Sequence, residues 1–568
     1  MSEGRDGPRG ATHGAADAFW RDGRIQLLAL FGGALLLRLV LALIILPDSG
    51  HRSDLAIMAQ WANELQQNGP GAFYRPDSGY FADYPPVYLY VLWAIGVAGS
   101  WLNAGANPEY AAFVLKLPYV LADLVAAWFL LLLVRRIVGR PAGAVAAALV
   151  LFNPATVLIS TVWGQNDPVA TAAVLATLWL LATDRLEWAA SAACVAMLIK
   201  FQYGFMVPIV GIVLIRRDLL GSPDRASGLR RVVRAAAAGL ITIILICLPF
   251  GLLPIAPGDP AHSLVSRFVG ANAAFPGLTQ NAFNLWMNPF ADIILRGASG
   301  LTEGHVVDDT TALVAIGGLG LSAQWLGNLL FLASTALAVL VMRRRDDALA
   351  VCFVALTIAV AFFDLPTRIH ERYLYPAVAL AIPFLWTRSR SWKLVFIGVS
   401  AVVFLDAYWV YSLPIGNAGP GRGPLADTIY SPAGIYLLSL VSTVILVWLL
   451  WQTRRPERIP AGLDAADAGR AEGHPTEHAS QAKPAAPAEP VMPRARPPRG
   501  GTAPAGSPRT SRWSAFVPTA IGLAVVAIWA AIWAARIFGT PGHWLWNPDM
   551  PKIDYPLAVF ANEALTSW

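Results

Sequence analysis

The chain is poor in charge. Asp, Glu, Lys and Arg make up only 14% of its 568 residues, whereas a soluble protein carries about 25%. That shortage excludes a soluble globular protein of this size. Cysteine is scarce as well: Cys194, Cys247 and Cys352 all lie inside apolar runs. They have neither the number nor the spacing of a disulfide framework or a metal site, and read as small core residues. No internal repeat is visible. The net charge of +6 does not point to nucleic acid, because the basic residues fall mostly in short loops between apolar runs. The polar N-terminal stretch is too long for a signal n-region and the run after it too long for an h-region. That run therefore reads as a retained span.

Apolar sequence is what the chain has in quantity, at 56% hydrophobic residues. Segments near 25–46, 85–102, 111–134, 142–162, 168–183, 188–199, 203–215, 235–253, 321–342, 348–363, 374–386, 394–411, 433–452 and 514–535 are candidates for membrane helices. The longer ones reach the ~20 residues that cross ~30 Å of hydrocarbon. Basic clusters at Arg21 and Arg24, Arg135 to Arg140, Arg216 to Arg234, Arg343 to Arg345, Arg388 to Lys393 and Arg454 to Arg458 mark cytoplasmic ends.

These clusters impose a parity. Between the outer loop at Asp54 and the inner cluster at Arg135 the chain must cross an odd number of times, yet two apolar segments intervene. The segment 85–102 is short, aromatic and opens on Pro85 and Pro86; it is expected to lie along the interface. The stretch 53–67 is amphipathic, with Leu55, Met58, Ala59, Ala62 and Leu65 at helical spacing. The fold class is thus all-α: a polytopic transmembrane helical protein of about 13 spans, with interfacial helices in the first outer loop. A cytoplasmic tail covers 1–24. A membrane module covers 25–253, with its first outer loop at 48–110, and a second covers 254–452, with an outer loop at 254–320. A disordered, Pro/Ala-rich cytoplasmic linker at 453–513 leads to a last span and outer tail at 514–568.

With this topology the polar motifs fall on one face. Asp54, the stretch Trp163 to Asp167, the turn Lys200 to Tyr203, the stretch Asn281 to Trp286 and the run Thr367 to Tyr373 all become extracytoplasmic. Lys200 sits in a turn between two short apolar runs, with Gln202 beside it as a possible ligand contact. Arg368, His370 and Arg372 gather cations near hydrocarbon around Glu371, and phosphate suits the arginine fork. The alternative is an internal Glu371–Arg pair capping the next span. Asp54 could be a helix N-cap before Leu55, and Asp167 could serve only the helix start before Pro168. Arg38 and Asp123 lie within spans and are expected to neutralise each other. Lys116 is expected to snorkel, and Asp406 to be structural.

One carboxylate opposite a cationic cluster suits sugar transfer from a lipid phosphate. The carboxylate takes the acceptor hydroxyl's proton, and fixed cations meet the charge that grows on the leaving phosphate. A single displacement with one carboxylate inverts the anomeric centre. A polytopic lipid or glycan flippase is the alternative.

These residues resemble the GT-C superfamily of integral-membrane glycosyltransferases, most closely the dolichyl-phosphate-glucose-dependent glucosyltransferases and their bacterial relatives. The acidic start of the first outer loop followed by Asp83-Tyr84-Pro85-Pro86 is similar to that family's D…DYPPL. Gly164-Gln165-Asn166-Asp167 stands in the place of its H-F-Q-Y-N loop. Lys200-Phe201-Gln202 resembles its Y-K-Q turn, and Ile369-His370-Glu371-Arg372 its V-H-E-K. The resemblance implies an inverting hexosyltransferase with Asp54 as catalytic base. It places His370 at the donor phosphate, where Arg368, Arg372 and Lys200 are also expected, and Gln165, Asp167, Gln202, Asn281 and Trp286 are expected at the substrates. No cofactor or metal is expected, since Asp167 lacks the D-x-D or E-x-D partner of the oligosaccharyltransferase branch. The implied partners are membrane lipid, a polyprenyl-phosphate-sugar donor and a glycan, lipid or protein acceptor. The implied setting is the plasma membrane, with the site facing outward.

Overall fold

Apolar runs too long to stay in water become helices, and they stop at proline, glycine or a polar cap. In chain order these are α1 (Gly23–Ile45), α2 (Arg52–Asn68), α3 (Pro86–Trp101), α4 (Pro108–Ile137), α5 (Arg140–Leu151), α6 (Pro154–Trp163), α7 (Asp167–Ala182), α8 (Leu186–Ile199) and α9 (Met206–Leu214). There follow α10 (Arg225–Cys247), α11 (Leu264–Ala273), α12 (Pro289–Ile294), α13 (Ala323–Leu340), α14 (Ala348–Asp364), α15 (Tyr375–Ala381), α16 (Arg390–Tyr411), α17 (Pro424–Ile429) and α18 (Pro432–Thr453). This computed structural model describes residues 23–454 apart from 48, 76–81, 102–107, 257, 274–275, 296–307, 311–319, 388 and 413–423. The tail at 1–22, the linker at 455–513 and the last span at 514–535 lie outside the described residues.

The protein is a polytopic, all-α membrane protein. Among the described residues no strand forms, only isolated bridges. Among the described residues six helices are long and apolar enough to cross a membrane, or seven if the bent pair α5–α6 is one span. The bend of 49° has a local cause: Asn153 caps the new helix, accepting from the Ala155 N–H, and Pro154 cannot continue the old one. Shorter apolar helices include α3, α7, α8 and α14. α10 shows how such helices divide their surface: Leu240, Ile241 and Leu245 are exposed, whereas Ala235, Gly239 and Cys247 are buried. An exposed leucine stripe on one side and small residues on the packed side suit a helix between lipid and protein. α14 is buried along almost its whole length.

Two helices, α2 and α3, fill the stretch between α1 and α4, and α2 covers the segment whose amphipathic spacing predicted a helix. α2 buries Leu55, Met58, Trp61, Ala62 and Leu65 and lies against α3. The contact needs Gly96: a Cβ there would lie 2.2 Å from the Ala62 carbonyl oxygen.

The charges inside the spans behave unequally. Arg38 and Asp123 pair as expected, at 2.9 Å with both side chains buried, and Tyr375 donates to the other carboxylate oxygen at 2.9 Å. Asp406 is likewise structural, accepting the Phe283 N–H at 2.9 Å. The expectation for Lys116 is corrected. It does not snorkel but is fully buried, and its Nζ donates to the Ser49 carbonyl at 2.6 Å and hydroxyl at 3.0 Å. The loop at 49–50 and the turn at Gly164 close over it.

Candidate active site

Asp54 stands in the first turn of α2, but the N-cap is His51, in extended conformation. The carboxylate is therefore not the helix cap, and it points to α6 instead. Trp163 Nε1 donates to its Oδ2 at 2.8 Å, and Gln165 Nε2 donates to the same oxygen. Gly164 makes this possible: at φ +87 it reverses the chain, so the residues on both sides reach one carboxylate. A side chain there would also meet Lys116 Cγ at 2.9 Å. The preceding turns, Leu158–Trp163, are wound as a π-helix, a widening often found at functional sites.

Asp167 opens α7 with its carboxylate buried. Lys200 Nζ donates to both of its oxygens, at 3.0 and 3.2 Å. Tyr203 Oη adds a bond at 2.9 Å and Gln202 Nε2 one at 3.3 Å. Asp167 thus begins a helix, as one reading of it expected, and also anchors the Lys200 turn. Lys200 Nζ further lies 5.0 Å from the Tyr373 ring centre.

The late loop supplies Arg372. Its guanidinium lies 5.6 Å from the Trp163 ring centre, pairs with Glu371 and comes within 3.8 Å of Asp167. Its Nε is buried without a hydrogen-bond partner among the described residues. His370 Nδ1 is 3.7 Å from Glu371 Oε2. The loop at 277–281 holds this segment in place, with Arg368 N–H on the Gly277 carbonyl at 3.1 Å and Gln280 N–H on the Ile369 carbonyl at 2.7 Å. Asn281, at φ +67, bridges to His370.

Electrostatics follow from this packing. Burial would raise the Asp54 carboxyl, but the His51 hydrogen bond, the charges of His51 and Arg372 and the Trp163 N–H outweigh it and hold it well below the ordinary value. Burial pushes Asp83 up to about 6 despite Lys200 and Arg372 nearby. Burial also opposes the charge on Glu371, yet Arg372 and His370 bring it down to about 2. Lys200 and His370 are both lowered, chiefly by burial. His370 is thus biased toward the neutral imidazole, a hydrogen-bond donor more than a cation.

The structure gathers Asp54, Gln165, Asp167, Lys200, Gln202 and Arg372 into one connected network, with His370 beside it through Glu371. Two expected site residues point elsewhere. Arg368 makes a two-pronged pair with Asp309, at 2.9 Å for both prongs, and Thr367 donates to the same carboxylate. Trp286 is fully buried among Leu278, Ala291 and Ala323, and its indole donates to the Leu365 carbonyl at 2.9 Å. Sequence reasoning overlooked His51 and Asp309, and it gave Trp163 and Asp83 no role of their own although both lay in motifs it had singled out. A histidine three residues before Asp54 and an acid before Tyr84-Pro85-Pro86 were the available signals for two of them. Among the described residues no group of three His, Cys, Asp or Glu side chains converges as a metal site would require.

Comparison with known proteins gives a family match over part of the chain. Residues 84–250 match the dolichyl-phosphate-mannose-protein mannosyltransferase family. No curated protein sequence matches. Among solved structures, the Archaeoglobus fulgidus oligosaccharyltransferase in its apo form is similar with 14% identity and a TM-score of 0.38, over 81% of this chain and 59% of that one. The same enzyme with an inhibitory peptide and a dolichol-phosphate gives 15% identity and a TM-score of 0.36, over 79% and 58%. The chain therefore spans less than two thirds of that enzyme's length, and scores this low carry no weight for the site. The family match names mannosyl transfer where the sequence resemblance named glucosyl transfer, two branches of one superfamily. Over residues 84–250 the resemblance to the GT-C superfamily of membrane glycosyltransferases is borne out.

Proposed function

We propose that the protein transfers a hexose from a polyprenyl-phosphate sugar to an acceptor on the extracytoplasmic face, with inversion. The observation that carries this is the Asp54 carboxylate bonded to the Trp163 indole, with the Arg372 guanidinium lying over the same ring. Asp54 takes the acceptor hydroxyl's proton as that oxygen bonds to the anomeric carbon. The bond from the anomeric carbon to the phosphate oxygen breaks, and the lipid phosphate leaves with the electron pair. Arg372 uses one nitrogen on Glu371 and keeps further N–H groups for the phosphate, and Lys200 adds positive charge behind it. His370, biased to the neutral form, serves as a hydrogen-bond donor there. The leaving group is already a phosphate, so neither a general acid nor a cofactor is invoked.

Purified protein incubated with polyprenyl-phosphate mannose, glucose and galactose tests the reading. Release of polyprenyl phosphate together with a new glycoside is expected for one of them. Lipid translocation in vesicles, with no transfer from any donor, would favour a flippase instead.

A further inference from the structure

The Asp54 carboxylate is held asymmetrically. Trp163 Nε1, Gln165 Nε2 and His51 Nδ1, the last at 3.2 Å, all approach Oδ2. Oδ1 has no hydrogen-bond partner among the described residues. A carboxylate oxygen offers about two lone-pair sites; the Trp163 and Gln165 donors occupy them, with His51 Nδ1 held beside them.

We propose that His51 is a positioning residue for Asp54: with Trp163 and Gln165 it engages Oδ2 and leaves Oδ1 as the only oxygen able to receive the acceptor's proton. The proposal rests on Asp54 acting as the base.

His51 is itself built in. As the N-cap of α2 its backbone N–H donates to the Trp163 carbonyl at 2.9 Å. Its ring stacks on the Trp163 indole with centres 5.0 Å apart and planes 24° from parallel. Ring and backbone are thus both fixed to the residue that supplies the second donor. The carboxylate also decides the tautomer. A bare Nδ1 would face Oδ2 lone pair to lone pair at 3.2 Å, so whenever the ring is neutral its proton belongs on Nδ1. Ser53 Oγ, 3.0 Å from Nδ1, then accepts a share of the same proton.

Two donors and the adjacent imidazole gathered on one oxygen make Asp54 a weaker base but a better aimed one. Misplacing a reacting group by even 1 Å can cost on the order of 10²-fold in rate. Aim is therefore the larger effect, and its loss appears in turnover with little change in substrate binding.

The test uses full-length protein in detergent, with polyprenyl-phosphate mannose as donor probe and an alkyl mannoside as acceptor probe. His51→Leu should lower kcat on the order of 10- to 10²-fold, with KM for the donor within about twofold. His51→Asn, whose amide nitrogen can take the place of Nδ1, should recover most of that loss. His51→Gln, whose amide reaches the Nε2 position, should not. Trp163→Phe keeps the ring and removes the other donor; it should lower kcat with KM kept, and it decides the matter if His51→Leu does not fold. Equal activity in the Leu, Asn and Gln variants, or losses in KM alone, would overturn the positioning role while leaving Asp54 as base. Normal turnover by Asp54→Asn, or no turnover by the wild type, would remove the base and the proposal with it.

Discussion

Asp83 offers a prediction whose size follows from its burial. Its carboxyl titrates near 6 in place of 3.8, an upward displacement of about two pH units. At 1.36 kcal/mol per unit, the folded state disfavours the ionised form by about 3 kcal/mol. The sign is set by which state holds the proton. Between the two values the folded protein keeps the Asp83 proton and the unfolded chain has lost it, so stability falls as pH rises through that window. It stays low above about 6. Asp83→Asn removes the ionisation and should be the more stable protein at pH 8, by a few degrees in apparent Tm, the shift per kcal/mol being small in a chain this long. Toward pH 4 the gap should close. Thermal unfolding of wild type and variant in detergent, scanned at one rate across pH 4–8, measures it. A gap that is the same at pH 4 and pH 8, or a variant less stable at pH 8, would refute the reasoning.

Further outcomes follow from other contacts. Arg38→Met should destabilise by about 3–5 kcal/mol by stranding buried Asp123, and Arg38→Met with Asp123→Leu should recover most of it in the same thermal assay. Arg372→Lys keeps the charge but loses the fork shared among Glu371, Asp167 and the Trp163 face. KM for the donor should rise and kcat fall together, and unchanged kinetics would remove Arg372 from the phosphate. Cysteines introduced at exposed Ser53 and Thr310 should react with an impermeant thiol reagent from outside, and those at exposed Ala226 and Arg343 only after permeabilisation. The native cysteines are buried and give little background. The reverse pattern would place the site in the cytoplasm.

Much of this architecture was legible in the sequence because hydrocarbon is a demanding solvent. It forces long apolar runs to be helices, and the period of Leu55, Met58, Ala62 and Leu65 marked α2 without further help. The Arg38–Asp123 pair was legible for the same reason, since neither charge is tolerable there alone. Local sequence could not show which oxygen a guanidinium would meet. Arg368 and Arg372 are four residues apart, yet one turns to Asp309 and the other to Trp163. That choice is made by the 277–281 segment bonded to the loop and by the positive φ of Arg368. Lys116 was misjudged because its burial depends on Ser49, 67 residues away. His51 was overlooked because its value lies in stacking on Trp163, a partner that only the fold supplies.

The central claim is that the Asp54 carboxylate takes the acceptor's proton in a single displacement. It is tested most directly by replacing Asp54 with Asn and following transfer in detergent, with the product's anomeric configuration read by NMR. Asn keeps the size and can still meet Trp163 and Gln165, but it cannot accept a proton. Turnover should fall on the order of 10²–10⁴-fold, with donor binding kept and the wild-type product inverted. An Asn variant that still turns over at a near-normal rate, or a wild-type product with retained configuration, would contradict it.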